Sequence, residues 1–74
     1  MEKLIDLKDE TKGKVAEIIG DIHFQSRITS IGVTVGSEIE VIQNYKKQPV
    51  LIYCRDTMIA VNKKEAGNII VEVI

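Results

Sequence analysis

A chain of 74 residues has room for one domain, and at this size only about 60% of the unfolded surface can be buried. The composition, 45% hydrophobic and 28% charged, predicts a globular protein rather than a disordered one. The longest run without charged or strongly polar side chains, residues 49–54, is far shorter than the roughly 20 residues that span a bilayer, and charges interrupt the N-terminal segment where a signal peptide would be apolar. We therefore expect a single domain over residues 1–74 in the cytoplasm, with no direct membrane insertion.

The charge distribution argues against nucleic-acid binding. Ten basic and eleven acidic residues give a formal net charge of −1, and the only adjacent basic pairs are Lys46-Lys47 and Lys63-Lys64. A protein that neutralises phosphates normally concentrates its basic residues on one face and adds exposed aromatic side chains for stacking. This chain has only two tyrosines and one phenylalanine. We therefore expect no nucleic-acid partner.

Residues 13–19 form the first predicted strand. Its apolar phase changes between Val15 and Ile18, and a β-bulge at Ala16 or Glu17 would restore the alternation. Asp21 follows the strand and is placed to cap the first free amides of a helix. A short lead, residues 4–7, comes before the strand.

The predicted helix is about two turns long. Phe24, Ile28 and Ile31 lie at positions i, i+4 and i+7, which places them in one apolar stripe. Gly32 stands where a helix needs a left-handed residue after its last turn, and Gly36 stands where the chain must reverse into the next strand. Helix, turn and strand thus follow one another closely.

Two strand predictions come next. Residues 37–41 alternate, with Ile39 and Val41 on one face and Glu38 and Glu40 on the other, as expected for a strand with one solvated face. After a polar connection, residues 50–54 are apolar in both phases, which indicates a central strand covered on both sides. Residues 55–57 separate this run from the apolar residues 58–61, so the two runs should form a β-hairpin.

The C-terminal part predicts a short helix and a final strand. Asn62 fits an N-cap, Glu65 is placed to reach back to the cap amide, and Gly67 follows after about one turn. Residues 69–74 present Ile69, Val71 and Val73 on one face, and so apolar a strand must pair within the sheet. The fold class is therefore mainly β: a small, strongly curled barrel of about five strands with one two-turn helix and one short helix.

Glycines and apolar residues, together with the charged residues Arg27 and Glu65, follow one another in a characteristic order along nearly the whole chain. They are Gly13, Val15, Ile18, Arg27, Ile28, Ile31, Gly32, Val33, Gly36, Ile39, Val41, Pro49, Val50, Ile59, Ala60, Val61, Glu65, Ala66, Ile69 and Val71. In these positions the chain resembles the FeoA family, small cytosolic partners of the bacterial ferrous iron transporter with an SH3-like barrel fold. It departs from the family at Glu10 and at Val35, where glycine and proline are usual, and at Asp56-Thr57, which replace a hairpin glycine.

The resemblance implies a function through contact. It predicts an accessory protein that docks on the membrane ferrous iron transporter, whose cytosolic part is a GTP-binding domain, and that regulates or helps assemble it. The same type of domain occurs behind the DNA-binding part of iron-dependent repressors, but a free-standing protein is the better interpretation. A second interpretation, from a different class, is a small-barrel module that binds nucleic acid or the ribosome, and a third is a domain that senses metal directly.

Neither metal binding nor catalysis is indicated by the residue types. His23 and Cys54 are the only soft metal ligands and stand 31 residues apart, whereas iron and zinc sites use three or four ligands. We expect Cys54 to be a packed strand thiol and His23 a surface residue of the helix. No set of nucleophile, base and orienting group can be assembled, and no P-loop is present. We expect no enzyme activity, no cofactor and no metal.

The predicted partner-binding residues are Arg27, Ile28, Ile31 and Gly32 at the end of the helix. Arg27 projects away from the apolar stripe and could meet an acidic partner surface, or its methylene stem could simply cover the barrel. On the first interpretation, Arg27→Glu weakens transporter binding with thermal stability nearly intact. Glu38 and Glu40 offer a second possible contact surface. The sequence does not indicate an oligomeric state.

Overall fold

The structure is a computed structural model, and it describes residues 1–74. The elements in chain order are β1 (Glu2–Lys3), a 3-10 helix (Leu4–Asp6), β2 (Lys12–Ile18), α1 (Ile22–Ser30), β3 (Glu38–Gln43), β4 (Val50–Cys54), β5 (Thr57–Val61), α2 (Lys63–Ala66) and β6 (Ile69–Val73). All strand pairs are antiparallel and form one six-stranded sheet in the order β1-β6-β2-β3-β4-β5. The mainly β prediction is confirmed. The sixth strand is the two-residue β1, and β1 and β5 are the two open edges of the sheet.

The sheet curls where strands carry bulges. The register of β2 against β6 shifts between Val15 and Glu17, which confirms the predicted bulge. A second shift, between Val41 and Gln43 in the β3–β4 pair, was not predicted. At the start of β2, a Cβ atom on Gly13 would lie 2.5 Å from Cγ1 of Val71. Only a glycine at position 13 therefore allows β6 to pair with β2 at this distance.

Helix α1 begins and ends as the sequence indicated. The Asp21 carboxylate accepts a hydrogen bond from the backbone N–H of Phe24 at 2.9 Å, and Gly32 follows the helix with φ +108°. Ile28 is fully buried, and Phe24 packs half-buried against the core. Ile31, the third residue of the predicted stripe, is 40% exposed because it is the C-cap, where the chain is already leaving the helix.

Strands β4 and β5 form the predicted hairpin with a two-residue turn. Arg55 and Asp56 both have positive φ, 53° and 62°, the conformation of a type I′ turn, and Thr57 already belongs to β5. The prediction that β4 is covered on both faces is wrong. Val50, Ile52 and Cys54 are buried, but Tyr53 on the opposite face is 39% exposed because no second layer covers that side of the sheet.

The core lies between the concave face of the sheet and the two helices. It contains sixteen buried apolar residues: Leu4, Leu7, Val15, Ile18, Ile28, Val33, Ile39, Val41, Val50, Ile52, Cys54, Ile59, Val61, Ala66, Ile69 and Val71. The chain's last strand, β6, lies between β1 and β2, so its predicted pairing within the sheet is confirmed. Val73, however, is 42% exposed, since only Ile69 and Val71 of the predicted face reach the core.

Candidate docking surface at the end of helix α1

Three of the four predicted partner-binding residues lie on the surface where α1 ends. The Arg27 side chain is 62% exposed, Ile31 is 40% exposed, and Gly32 is half-buried in the turn that follows. Ile28 is different: its exposed fraction is 0%, because it follows Phe24 by one helical turn and faces the core. The buried side chain packs α1 against the sheet, and Ile28 offers no side-chain surface next to Arg27 and Ile31.

Arg27 has a partner within the protein that the sequence did not predict. Its guanidinium forms a salt bridge with the carboxylate of Glu65 on α2, whose side chain is only 12% exposed. Glu65 was expected to reach back to the amide of its own N-cap. Instead, the Asn62 side chain accepts from the backbone N–H of Glu65 at 2.8 Å, which confirms the cap and leaves the carboxylate free to cross to α1. No sequence pattern relates Arg27 to Glu65.

The turn after α1 is held against the β4–β5 hairpin. The Cys54 thiol donates to the carbonyl oxygen of Gly32 at 3.7 Å, and the Arg55 guanidinium donates to the hydroxyl of Thr34 at 3.1 Å. The Thr34 hydroxyl also lies 2.7 Å from the hydroxyl of Ser37. These contacts fix the turn that presents Ile31. A partner would therefore meet a surface that is already ordered, which lowers the entropic cost of binding.

The two soft metal ligands lie in different environments. Cys54 is buried in β4 with 1% exposure, as predicted for a packed thiol, and His23 is exposed on α1. No group of three or more His, Cys, Asp or Glu side chains is arranged to hold a metal ion. Nor is any helix both long and apolar enough to cross a membrane.

Glu38 and Glu40 line a groove of about 410 Å³ on the other side of the hairpin. Lys12 contributes to the same groove, so the charge of the groove is mixed, and Tyr53 and Asp56 also line it. The Tyr53 hydroxyl donates to the Asp56 carboxylate at 3.0 Å. This hydrogen bond, together with the carboxylate's negative charge, raises the pKa of Tyr53 above the ordinary 10.0.

Asn44 joins three segments of the chain. The sequence did not predict this role, because Asn44 lies in a polar connection between two strands. Its side-chain amide donates to the carbonyl oxygens of Ile5 and Leu7 at 2.9 and 2.6 Å, and its backbone N–H donates to the Asp9 carboxylate at 2.7 Å. The Lys63 ammonium donates to its side-chain oxygen. These bonds tie the N-terminal segment to the β3–β4 connection and to the start of α2, the helix that carries Glu65.

Comparison with known proteins identifies the family. The model of the FeoA domain matches residues 2–73, almost the entire chain. The protein belongs to the FeoA family. This family is associated with ferrous iron transport. No curated protein sequence matches the chain at a significant level.

Solved structures of FeoA proteins share the fold. The crystal structure of an iron uptake regulatory protein, FeoA, superposes with a TM-score of 0.94 at 26% identity, covering 99% of this chain and 97% of that one. A FeoA-like protein from Clostridium acetobutylicum gives 0.85 at 27% identity, covering 100% and 91%. The FeoA of Stenotrophomonas maltophilia, described as a procaryotic SH3 domain protein and solved with zinc, gives 0.79 at 19% identity, covering 97% and 91%. The predicted SH3-like fold is confirmed.

Proposed function

We propose that this FeoA-family protein is an accessory protein of ferrous iron uptake that works in the cytosol by contact. It docks on the membrane ferrous iron transporter, beside that transporter's GTP-binding domain, and regulates or helps assemble it. The observation that carries the proposal is the FeoA-domain match over residues 2–73.

The docking surface in this proposal consists of Arg27, Ile31 and the Gly32 turn. Ile31 supplies exposed apolar area next to a charged side chain, a combination that interfaces use to gain both burial and orientation. One guanidinium nitrogen of Arg27 pairs with the Glu65 carboxylate. The remaining N–H groups can donate to a carboxylate or carbonyl group of a partner. Because both residues lie on ordered backbone, little conformational freedom is lost on docking.

Arg27→Glu is a poor test of this surface, since it would place a second carboxylate beside Glu65 and disturb the α1–α2 contact. Ile31→Ser removes the exposed apolar surface and leaves the Arg27–Glu65 pair in place. Ile22→Ser is its matched control, because Ile22 is 75% exposed on the same helix but lies on the opposite side, nine residues earlier. Glu40→Gln tests the groove as the competing surface.

The experiment is a binding titration of the tagged protein against the ferrous iron transporter in detergent, after a pull-down from membranes of the native cells has identified the bound protein. We expect Ile31→Ser to weaken binding about tenfold, the equivalent of roughly 1.4 kcal/mol, while Ile22→Ser binds like the wild type. Loss of affinity in Glu40→Gln with Ile31→Ser unchanged would move the docking surface to the groove. Recovery of nucleic acid or ribosomes instead of a transporter would overturn the proposed function.

A further inference from the structure

The two edges of the sheet differ in how they are protected. Edge strand β1 has only two residues, and both, Glu2 and Lys3, are charged. Edge strand β5 runs over five residues, Thr57–Val61, without a charge, a proline or a bulge, and pairs with β4 residue for residue. Proteins normally guard an exposed edge by shortness, charge, proline or a bulge. Edge β5 has none of these, so it is open to pairing with another strand.

Backbone hydrogen-bonding groups of β5 point outward from this edge. The two-residue turn makes Cys54 and Thr57 a hydrogen-bonded pair, and in an antiparallel ladder such pairs alternate with pairs that are not bonded to each other. Met58 and Ala60 are therefore the residues whose N–H and C=O groups face away from β4. No other strand pairs with β5, and no turn or loop hydrogen bond uses these groups. Both residues are exposed.

We propose that β5 pairs antiparallel with β5 of a second copy of this protein, around a two-fold axis at Ile59. In this register Met58 of one copy lies opposite Ala60 of the other, and the axis generates the same pair again. Each pair exchanges both of its backbone hydrogen bonds, so all the outward-facing groups of Met58 and Ala60 are satisfied. The two sheets join into one continuous sheet, and the interface is isologous, as in most homodimers.

The charges on and beside the strand favour a second copy as the occupant. Thr57–Val61 carries no charge, so pairing the strand with itself brings no like charges together along the ladder. Just beyond the strand, the same register places Asp56 of one copy opposite Asn62 of the other, so this carboxylate meets a neutral side chain. The cations that would otherwise meet there, Arg55 and Lys63, are held by Thr34 and Asn44 of their own copy.

The strand is also preorganised for this pairing. β5 is already extended and bonded to β4, so two copies associate with little loss of backbone freedom. A five-residue ladder is only about 17 Å long, which makes the interface smaller than a standard one. The dimer should therefore be weak and should be populated only at high protein concentration.

Amide hydrogen exchange of the wild-type protein, followed residue by residue by NMR, tests the proposal directly. The protein concentration is varied about a hundredfold, up to a level at which weak complexes form. We expect the exchange of the Met58 and Ala60 amides to slow at high concentration. The amide of Ile59, which bonds to β4, is the internal control and should exchange at one rate throughout. Concentration-independent exchange at Met58 and Ala60 overturns the proposal.

A second measurement, analytical ultracentrifugation, compares Ala60→Pro with Ala60→Ser. Proline removes an N–H that faces the free edge and leaves the ladder to β4 complete, whereas serine keeps that N–H. We expect dimerisation to be lost in Ala60→Pro and retained in Ala60→Ser, with the circular dichroism spectrum showing that both fold. Equal dimerisation of two folded variants overturns the proposal, as does protection of Met58 and Ala60 that appears only when the transporter is added. Should Ala60→Pro not fold, the wild-type exchange experiment decides.

Discussion

Arg27 on α1 and Glu65 on α2 form the protein's one salt bridge, and it joins an exposed side chain to one that is nearly buried. Glu65 is held in place by the Asn62 cap at the start of α2, so α1 is tied through Arg27 to a helix that is itself fixed. The proposed docking surface begins at this salt bridge. Its geometry therefore depends on α2 as well as on α1.

Breaking the Arg27–Glu65 pair from either side should destabilise the protein by different amounts. We expect Arg27→Met to lower the free energy of unfolding by about 1 kcal/mol, because it leaves a nearly buried carboxylate without its partner, and Glu65→Gln to cost less. In a double-mutant cycle measured by urea unfolding, the two changes should couple by about 0.5–1 kcal/mol. If the two changes in unfolding free energy simply add, the salt bridge itself contributes nothing to stability.

Asn44→Asp should destabilise the protein by about 2 kcal/mol, because the carboxylate replaces an amide that donates to two carbonyl oxygens and would face them with negative charge. Asn68→Asp makes the same chemical change at a half-buried asparagine whose side chain makes no hydrogen bond, and we expect a change within about 0.5 kcal/mol. Urea unfolding of both variants measures the difference. Equal losses of stability in the two variants would show that the Asn44 hydrogen bonds do not hold the three segments together.

Gly13→Ala should be the most damaging single-methyl substitution in the sheet. The added Cβ meets Val71 Cγ1 at 2.5 Å and the Glu72 carbonyl oxygen at 2.8 Å, so we expect a loss of about 3 kcal/mol or more in thermal or urea unfolding. Gly36→Ala is the comparison: its Cβ would meet nothing within 4 Å, and only the positive φ of 93° costs stability, about 1 kcal/mol. Gly36→Asn should recover part of that loss, since asparagine tolerates positive φ.

Asp56→Asn should return the pKa of Tyr53 toward its ordinary value of 10.0, since the neutral amide neither repels a phenolate nor strongly accepts from the phenol. Because the folded pKa is raised, the contact stabilises the fold below the unfolded pKa, and that contribution is lost as pH rises through the raised value. Ultraviolet titration in a Tyr45→Phe background isolates the Tyr53 signal. An unchanged titration in Asp56→Asn would assign the shift to another cause.

The features predicted correctly are those whose physical cause lies within a few residues. Asp21 and Asn62 cap helices because each side chain reaches a backbone amide three residues later. Gly32 follows α1 with positive φ because the helix must end there. The bulge between Val15 and Glu17 is visible as a break in alternation along a single strand. Strands, helices and the mainly β class follow from such local patterns and from apolar periodicity.

The features that were missed depend on which elements meet in space. An apolar run such as β4 reads the same whether one face or both are covered, and only the assembled sheet shows Tyr53 at the surface. The apolar stripe of α1 likewise does not show that Ile28 is fully covered while Ile31 is left 40% exposed.

The amino-acid sequence by itself determined where the two α-helices and the five longer strands lie, since hydrogen bonds, caps and φ preferences act between near neighbours. Only the tertiary structure decided that Arg27 meets Glu65, that Asn44 joins three segments and that β5 is left as an open edge. Contacts between distant residues are fixed by packing the whole core at once, and no local pattern of charge or hydropathy carries that information.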